Sequence, residues 1–266
     1  MADIQRILEQ HGIDTAALKR VELRPEASIY ALVVPNGDAL TTWVALRELT
    51  DETGHWPILL GEEMWAREFL PVLFDGDASL EPLWGIDFDL ADTQTTIAAG
   101  LALDPVAWTD ETYRSAPDYR RELWEETGEG FDFEDPDQQA SAASFPSEDS
   151  YWAPTDDQPN YLILVPVVEG WQVPAFLNYG LTNECPEPAV HVAMLRHWYE
   201  HYGAELVWML GDSLYLRALR PPADLASARA LAREQLVYCQ SIEEASTIES
   251  LAGMLHRATV WYFWWD

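Results

Sequence analysis

The chain has 266 residues, and 46 acidic side chains against 15 basic ones give it a formal net charge of −31. Apolar residues make up 48% of it, including 13 tryptophans, which is enough to fill a core and excludes global disorder. Nucleic acids and anionic membrane surfaces are disfavoured as partners, because binding to either depends mainly on Lys and Arg. The composition therefore predicts a folded, acidic protein with neither kind of partner.

Lysine and cysteine usage narrows the class of protein further. Lys19 is the only lysine, and there are 14 arginines. A GC-rich genome or adaptation to high salt would produce this composition. Much of the negative charge therefore has explanations that need no function. Cys185 and Cys239 are 54 positions apart and lack zinc-site spacing, which excludes a disulfide scaffold. The first residues lack a secretory signal pattern and no apolar run reaches about 18 residues, so we expect a cytoplasmic protein.

Residues 1–109 are predicted to form an N-terminal mixed α/β region. Ile4, Ile7 and Leu8 share one face of a helix over 3–11, since residues three and four apart are neighbours on a helix. The apolar run 28–34 is typical of a strand, and the Pro-Asn-Gly-Asp sequence that follows it is typical of a turn. The same patterns predict a helix over 39–49, a buried strand over 56–60 and a helix over 62–69.

Residues 110–158 are predicted to be an acidic connector. Between Asp110 and Asp157 there are 15 acids against 3 arginines, and glycines and prolines interrupt any long element. One short helix is predicted over 117–127, followed by a poorly ordered acidic linker over 132–149. This segment carries about −12 of the net charge.

Residues 159–266 are predicted to form a C-terminal domain with the element order β-β-α-β-β-α-α-β. The apolar run 161–168 is typical of a strand buried on both faces, and 171–177 is predicted to be its hairpin partner. The last strand, 259–265, lacks polar alternation, which favours a central strand. The other elements are a helix over 187–202, strands over 205–210 and 213–219, and helices over 225–237 and 247–255. The fold class is therefore α/β (α+β), an α/β sandwich with a mixed sheet.

The C-terminal third carries a set of distinctive short motifs. They are Asn178-Tyr179-Gly180, Asn183-Glu184-Cys185-Pro186, His191, the stretch 195–205, Pro221-Pro222, Glu234-Gln235, Tyr238-Cys239 and the aromatic ending 260–266. With these motifs the chain resembles the bacterial domain-of-unknown-function family 4253 over about residues 160–266. The resemblance implies no activity, cofactor or catalytic residue. The resemblance suggests a link to toxin-neutralising (immunity) genes, which is an association and supplies no mechanism.

A possible zinc motif lies on the helix over 187–202. His197, Glu200 and His201 fit the H-x-x-E-H pattern, in which two histidines hold zinc and the glutamate activates water. On a helical projection, however, His201 lies at the margin of the apolar face, His197 just outside it and Glu200 opposite to it. We interpret them as surface residues and predict no metal.

His191 lies near the centre of the apolar face of the same helix, so its ring needs buried partners. Asn178, Asn183 and Cys185 precede it and are predicted to converge with it where a strand end meets a helix N-terminus. Three readings remain open for these four binding candidates: a hydrogen-bonded structural turn, a pocket for a small molecule or partner, and a Cys-His nucleophilic pair.

Paired carboxylates occur at two places in the sequence. The pairs Asp75 and Asp77, and Asp87 and Asp89, have the chemistry of Mg²⁺ or Ca²⁺ ligands, but such pairs arise by chance in so acidic a chain. The phosphate-binding motif G-x-x-x-x-G-K-[ST] does not occur. We predict no cofactor.

The leading functional hypothesis is a non-enzymatic acidic protein that binds a basic protein and neutralises or regulates it, as an immunity protein does with a nuclease toxin. The acids expected to carry this binding are Asp132, Glu134, Asp135 and Asp137. One alternative is an enzyme or small-ligand-binding domain with a cleft near Asn183, Cys185 and His191. Another is a housekeeping domain whose charge serves solubility.

Overall fold

The computed structural model describes residues 2–24, 27–35, 37–74, 92–126, 159–180, 184–240 and 247–265. The elements before the predicted connector are α1 (Ala2–Gln10), β1 (Lys19–Arg24), β2 (Ala27–Val34), α2 (Ala39–Glu48), α3 (Thr50–Thr53), β3 (Trp56–Glu62), α4 (Glu63–Phe69), a 3-10 turn (Pro71–Leu73), α5 (Thr93–Ala102) and α6 (Pro105–Ser115). They are followed by α7 (Asp118–Trp124), β4 (Asn160–Val165), a 3-10 turn (Gly170–Gln172), α8 (Val173–Leu177), α9 (Pro188–Tyr202), β5 (Ala204–Met209), β6 (Ser213–Ala218), α10 (Leu225–Tyr238), α11 (Ile248–Leu255) and β7 (Val260–Trp264).

The strands of the described residues form one mixed sheet in the order β1-β2-β4-β3-β5-β6-β7. Neighbouring strands are antiparallel, except that β3 and β5 are parallel at Leu59 and Trp208. β4 lies between β2 and β3, so the predicted N-terminal and C-terminal regions contribute strands to the same sheet. This mixed sheet with flanking helices confirms the α/β fold class.

The core between the sheet and its helices is rich in tryptophan. Trp43, Trp56, Trp198 and Trp261 are fully buried, and most of the buried apolar residues form one cluster. A buried indole N–H requires an acceptor. Trp56 meets this requirement by donating to the Leu206 carbonyl at 2.8 Å, which ties β3 to β5.

The predicted hairpin strand over 171–177 is wrong, because this segment folds as a 3-10 turn followed by α8. The side chains of Glu169 and Gln172 form a capping box at the start of the turn, and Pro174 lies in the first turn of α8. Gly170 packs so closely on Trp56 that an added Cβ would lie 2.6 Å from the indole. A short buried apolar run is compatible with strand or helix, and here the local capping groups favour the helix.

The last strand also differs from its prediction. β7 pairs with β6 alone and is an edge strand of the sheet, not a central one. Its aromatic side chains are nevertheless buried, since Phe263 stacks on Trp198 at 5.3 Å and Trp261 contacts Tyr202. Helix α9 covers the face with Trp261 and Phe263. On the other face Tyr262 and Trp264 are half-buried, and Trp264 donates to Asp212, so aromatic residues occur on both faces and the strand lacks polar alternation.

Among the helices and strands, β1, α5, α6 and the one-turn helix α3 were not predicted. α5 crosses α9 closely, because a Cβ on Gly100 would lie 2.5 Å from Val192. α6 begins at Pro105, where Asp104 accepts hydrogen bonds from the first free backbone N–H groups. The predicted helix over 117–127 is α7, whereas the acidic linker over 132–149 lies outside the described residues.

Candidate functional site

The first candidate site surrounds His191 and is built by the loop between α8 and α9. α8 ends at Asn178, whose φ of 53° is left-handed, a conformation that Asn adopts more readily than most residues. Gly180 has a φ of 121°, and an added Cβ would overlap the Pro186 carbonyl oxygen. Pro188 is the first residue of α9, a position where a backbone N–H would have no acceptor within the helix, so its absence costs nothing. These turns bring Cys185 back onto the first turns of α9.

His191 makes three polar contacts inside the protein. Its Nε2 lies 3.3 Å from the Cys185 sulfur, its Nδ1 shares a hydrogen bond with the Tyr238 hydroxyl, and the Pro186 carbonyl also accepts a hydrogen bond from the ring. His191 is 0% exposed, and Cys185 and Tyr238 are buried with it. We name Cys185, His191 and Tyr238 the His191 network.

Aromatic rings enclose this network. The rings of Tyr179 and Trp265 lie 5.1 Å and 5.6 Å from the His191 ring. The Tyr179 hydroxyl is buried close enough to Cys185 to oppose the rise in its pKa, but it makes no hydrogen bond of normal geometry in the described structure. The network is therefore shielded from solvent by tightly packed side chains.

Burial determines the charge state of the site. It lowers the pKa of His191 to about 3 and raises the pKa of the Cys185 thiol, with Cys239 as a second cause of the rise. Burial also raises the pKa of Tyr238. All three groups are therefore neutral near pH 7. Burial therefore strongly disfavours the thiolate that nucleophilic catalysis requires.

The structure brings two of the four binding candidates into contact. Cys185 and His191 are in contact, but they meet between the end of α8 and the start of α9 and not at a strand end, because the segment before them is helical. Asn178 caps α8 and is half-buried, and Asn183 lies outside the described residues. Sequence reasoning missed Tyr238, which contacts His191 across 47 residues. Its place in the Tyr238-Cys239 motif is the signal in the sequence that could have indicated it. Local spacing does not reveal a partner so distant in sequence.

The H-x-x-E-H residues lie on α9 in two different environments. Glu200 binds Arg196 at 2.8 Å, whereas His197 lies 3.3 Å from Glu234 and is largely covered. His201 is exposed, and its Nδ1 contacts the backbone carbonyl of His197. Within the described ranges, no three His, Cys, Asp or Glu side chains are placed to hold a metal ion.

The charged surface is the second candidate site. Nine arginines form ion pairs with carboxylates of this chain: Arg6, Arg47, Arg67, Arg120, Arg121, Arg196, Arg217, Arg229 and Arg233. Most of the chain's few cations are therefore already paired. The acids predicted to bind a partner, Asp132, Glu134, Asp135 and Asp137, lie outside the described residues, as do Asp75, Asp77, Asp87 and Asp89.

The fold and the His191 network define an α/β protein with a mixed sheet and a closed, neutral polar site. Residues 161–266 match the model of the family described as "Domain of unknown function (DUF4253)", which confirms the resemblance over that range. The matched range begins inside β4 and contains all of the His191 network. Comparison with curated proteins gave no match, and comparison with solved structures gave none. Among the described helices, none combines the length and apolar character needed to span a bilayer.

Proposed function

We propose that this chain is a non-enzymatic, cytoplasmic acidic protein that binds a basic protein and neutralises or regulates it, in the manner of an immunity protein. The observation that carries the proposal is the internal pairing of the arginines in a chain of net charge −31. A surface of one sign attracts an oppositely charged partner over long distances and repels partners of the same sign.

The pairing matters because it determines which charges remain free to act outward. Arg47 binds the buried carboxylate of Glu205 at 2.9 Å, and Arg233 binds Asp110 at 2.7 Å. Arg220, another cation, donates to the Glu200 carbonyl at the end of α9. These arginines stabilise the fold, so the excess acids dominate the field that an approaching partner meets.

The test is the salt dependence of association. A partner captured by pull-down and purified is mixed with the chain at about 0.05 M and about 0.5 M salt, and we expect association to slow at least tenfold at the higher concentration. Neutralising Asp132, Glu134, Asp135 and Asp137 to Asn and Gln should slow association at low salt. The matched control neutralises four exposed acids elsewhere: Asp3, Glu22, Glu48 and Glu52. The proposal is contradicted if the association rate changes neither with salt nor on neutralisation of the four acids at 132–137. That result favours a charge that serves solubility.

The second candidate function is a ligand-binding or catalytic site at Cys185. Two observations favour it: Cys185 and His191 lie 3.3 Å apart, and the adjacent Tyr179 hydroxyl is buried without a normal hydrogen bond. Thiol labelling of the folded chain together with metal analysis tests this candidate. Rapid labelling of Cys185 that is lost in His191→Gln supports it. The second candidate function is contradicted if the Cys185 thiol reacts only after unfolding and the protein contains no metal.

A further inference from the structure

Helix α7 presents two contrasting faces. On its inner side, Trp124 is buried and stacks on Tyr113 of α6 at 5.6 Å. Arg120 on the same helix contacts Glu184 of the loop before α9 at 3.6 Å. These contacts fix α7 against the rest of the protein and determine which side chains point outward.

The outward side combines apolar and acidic residues. Tyr119 is 66% exposed and Leu123 is 41% exposed, and they are neighbours because they lie four residues apart on the helix. Asp118 and Glu122 on the helix are exposed too, as is Glu126 in the turn that follows it, whose N–H donates to the Leu123 carbonyl. We call these five residues the α7 face.

The cations of α7 do not neutralise this face completely. Arg121 binds Asp118 and also donates to the Arg114 carbonyl. Glu122 and Glu126 form no ion pair with any residue that the structure describes. The exposed apolar pair is therefore bordered by two carboxylates that no described cation neutralises.

We propose that the α7 face is the docking surface for a basic amphipathic helix of the partner. An apolar side chain of that helix packs on Tyr119 and Leu123, and its Lys or Arg side chains pair with Glu122 and Glu126. Tyrosine is among the residues that contribute most to interface energies, and acids beside it select a cationic partner. The inference rests on the proposed function, because it specifies where the basic partner binds.

Charge complementarity distinguishes this occupant from a second copy of the chain. Two α7 faces brought together would place Glu122 and Glu126 of one copy near those of the other, and like charges oppose that contact. A second exposed apolar pair, Met64 at 60% and Trp65 at 45%, lies on α4. That pair lies beside Arg67, which is bound to Glu63, so its surroundings carry both signs of charge. It therefore provides a matched control.

The experiment uses two labelled peptides and the full chain. One peptide is a lysine–leucine amphipathic helix of about 18 residues, and the other is an oligolysine of equal charge; binding is followed by fluorescence anisotropy. Tyr119→Ser with Leu123→Ser should weaken binding of the amphipathic peptide about tenfold and leave oligolysine binding unchanged. Glu122→Gln with Glu126→Gln should weaken binding of both peptides. Met64→Ser with Trp65→Ser should change neither, and circular dichroism checks that every variant is folded.

The outcomes separate this inference from the function on which it rests. If both α7 variants bind both peptides like the unmodified chain, while binding still weakens with salt, the α7 face is not the docking surface and the acidic-partner function stands. The inference is also overturned if the Met64 and Trp65 control loses affinity and the α7 variants do not. If peptide binding is absent or independent of salt, the proposed function itself fails.

Discussion

The His191 network and the α7 face each contain a tyrosine beside ionisable groups, but in opposite environments. Tyr238 is enclosed with His191 in the interior, whereas Tyr119 is open to water beside Glu122. In the interior, burial suppresses charge and each contact restrains the fold. On α7, charge and apolar area remain available to a partner. Solvent access, more than residue type, separates a structural site from a binding surface in this protein.

The largest expected effect is on the backbone at Gly180, which lies between α8 and α9. Gly180→Ala requires a left-handed residue to carry a Cβ that overlaps the Pro186 carbonyl, so we expect a loss of about 3 kcal/mol or more in the free energy of unfolding. Gly12→Ala is the control, because Gly12 has a φ of 77° with open space around it, and should cost about 1 kcal/mol. Urea denaturation measures both. Equal losses would show that the close approach at Gly180 is unimportant.

The next effect isolates one hydrogen bond of the network. Tyr238→Phe removes the hydroxyl and leaves His191 Nδ1 buried without that partner, so the free energy of unfolding should fall by about 2 kcal/mol. Tyr119→Phe removes the same atom from an exposed position and should change stability by less than about 0.5 kcal/mol. The same denaturation assay compares the two variants, and a Tyr238→Phe protein as stable as Tyr119→Phe would contradict a structural role for the network.

The network should also make stability depend on pH. The pKa of His191 is about 3 in the folded protein and near 6.5 when unfolded, so the unfolded state binds the proton first. The contribution of neutral His191 to the free energy of unfolding is therefore complete above pH 6.5. It is lost as the pH falls toward 3, by up to about 1.4 kcal/mol per pH unit.

Variants separate this contribution from that of other groups. Burial lowers the pKa of His55 too, which acts in the same direction. Unfolding at pH values from about 7 to about 5 should show a shallower slope in His191→Gln than in His201→Gln, whose side chain is exposed. Identical slopes would show that His191 does not titrate as its burial implies.

The smallest expected effect concerns the α7 face. Tyr119→Ser with Leu123→Ser should alter the free energy of unfolding by about 1 kcal/mol or less, because Tyr119 is 66% and Leu123 is 41% exposed, and part of the change comes from the weaker helix propensity of serine. A thermal melt monitored by circular dichroism measures the change. A large loss of stability would mean that these residues pack inside the fold and are not available to a partner.

Local signals determined which elements were predictable. Helix α9 was predicted almost completely, since Pro188 marks its start and Gly203, with a φ of 61°, ends it. The segment before it was misassigned, because α8 depends on capping by Glu169 and on the tertiary contact between Gly170 and Trp56. α5 was missed for a related reason: its position is fixed by α9, far away in the sequence.

The same distinction applies to the candidate sites. Cys185 and His191 lie six positions apart, so their convergence followed from the local pattern. Tyr238 belongs to another helix and joins them only through the fold. The exposure of Tyr119 was also beyond prediction, because it depends on Trp124 binding inward against α6. Sequence patterns thus indicated which residue types were available, and packing determined which of them meet.

The position of β4 in the sheet has a consequence for synthesis of the chain on the ribosome. β4 pairs with β2 on one side and β3 on the other, as in the pairing of Leu164 with Tyr30. About 100 residues separate the end of β3 from the start of β4, which corresponds to roughly 5–20 s of translation. During that time β2 and β3 both lack the strand that joins them, and apolar strand edges of this kind are prone to aggregate. The nascent chain is therefore expected to depend on chaperones until residue 165 has emerged, and to fold slowly afterwards because these contacts are so distant in sequence.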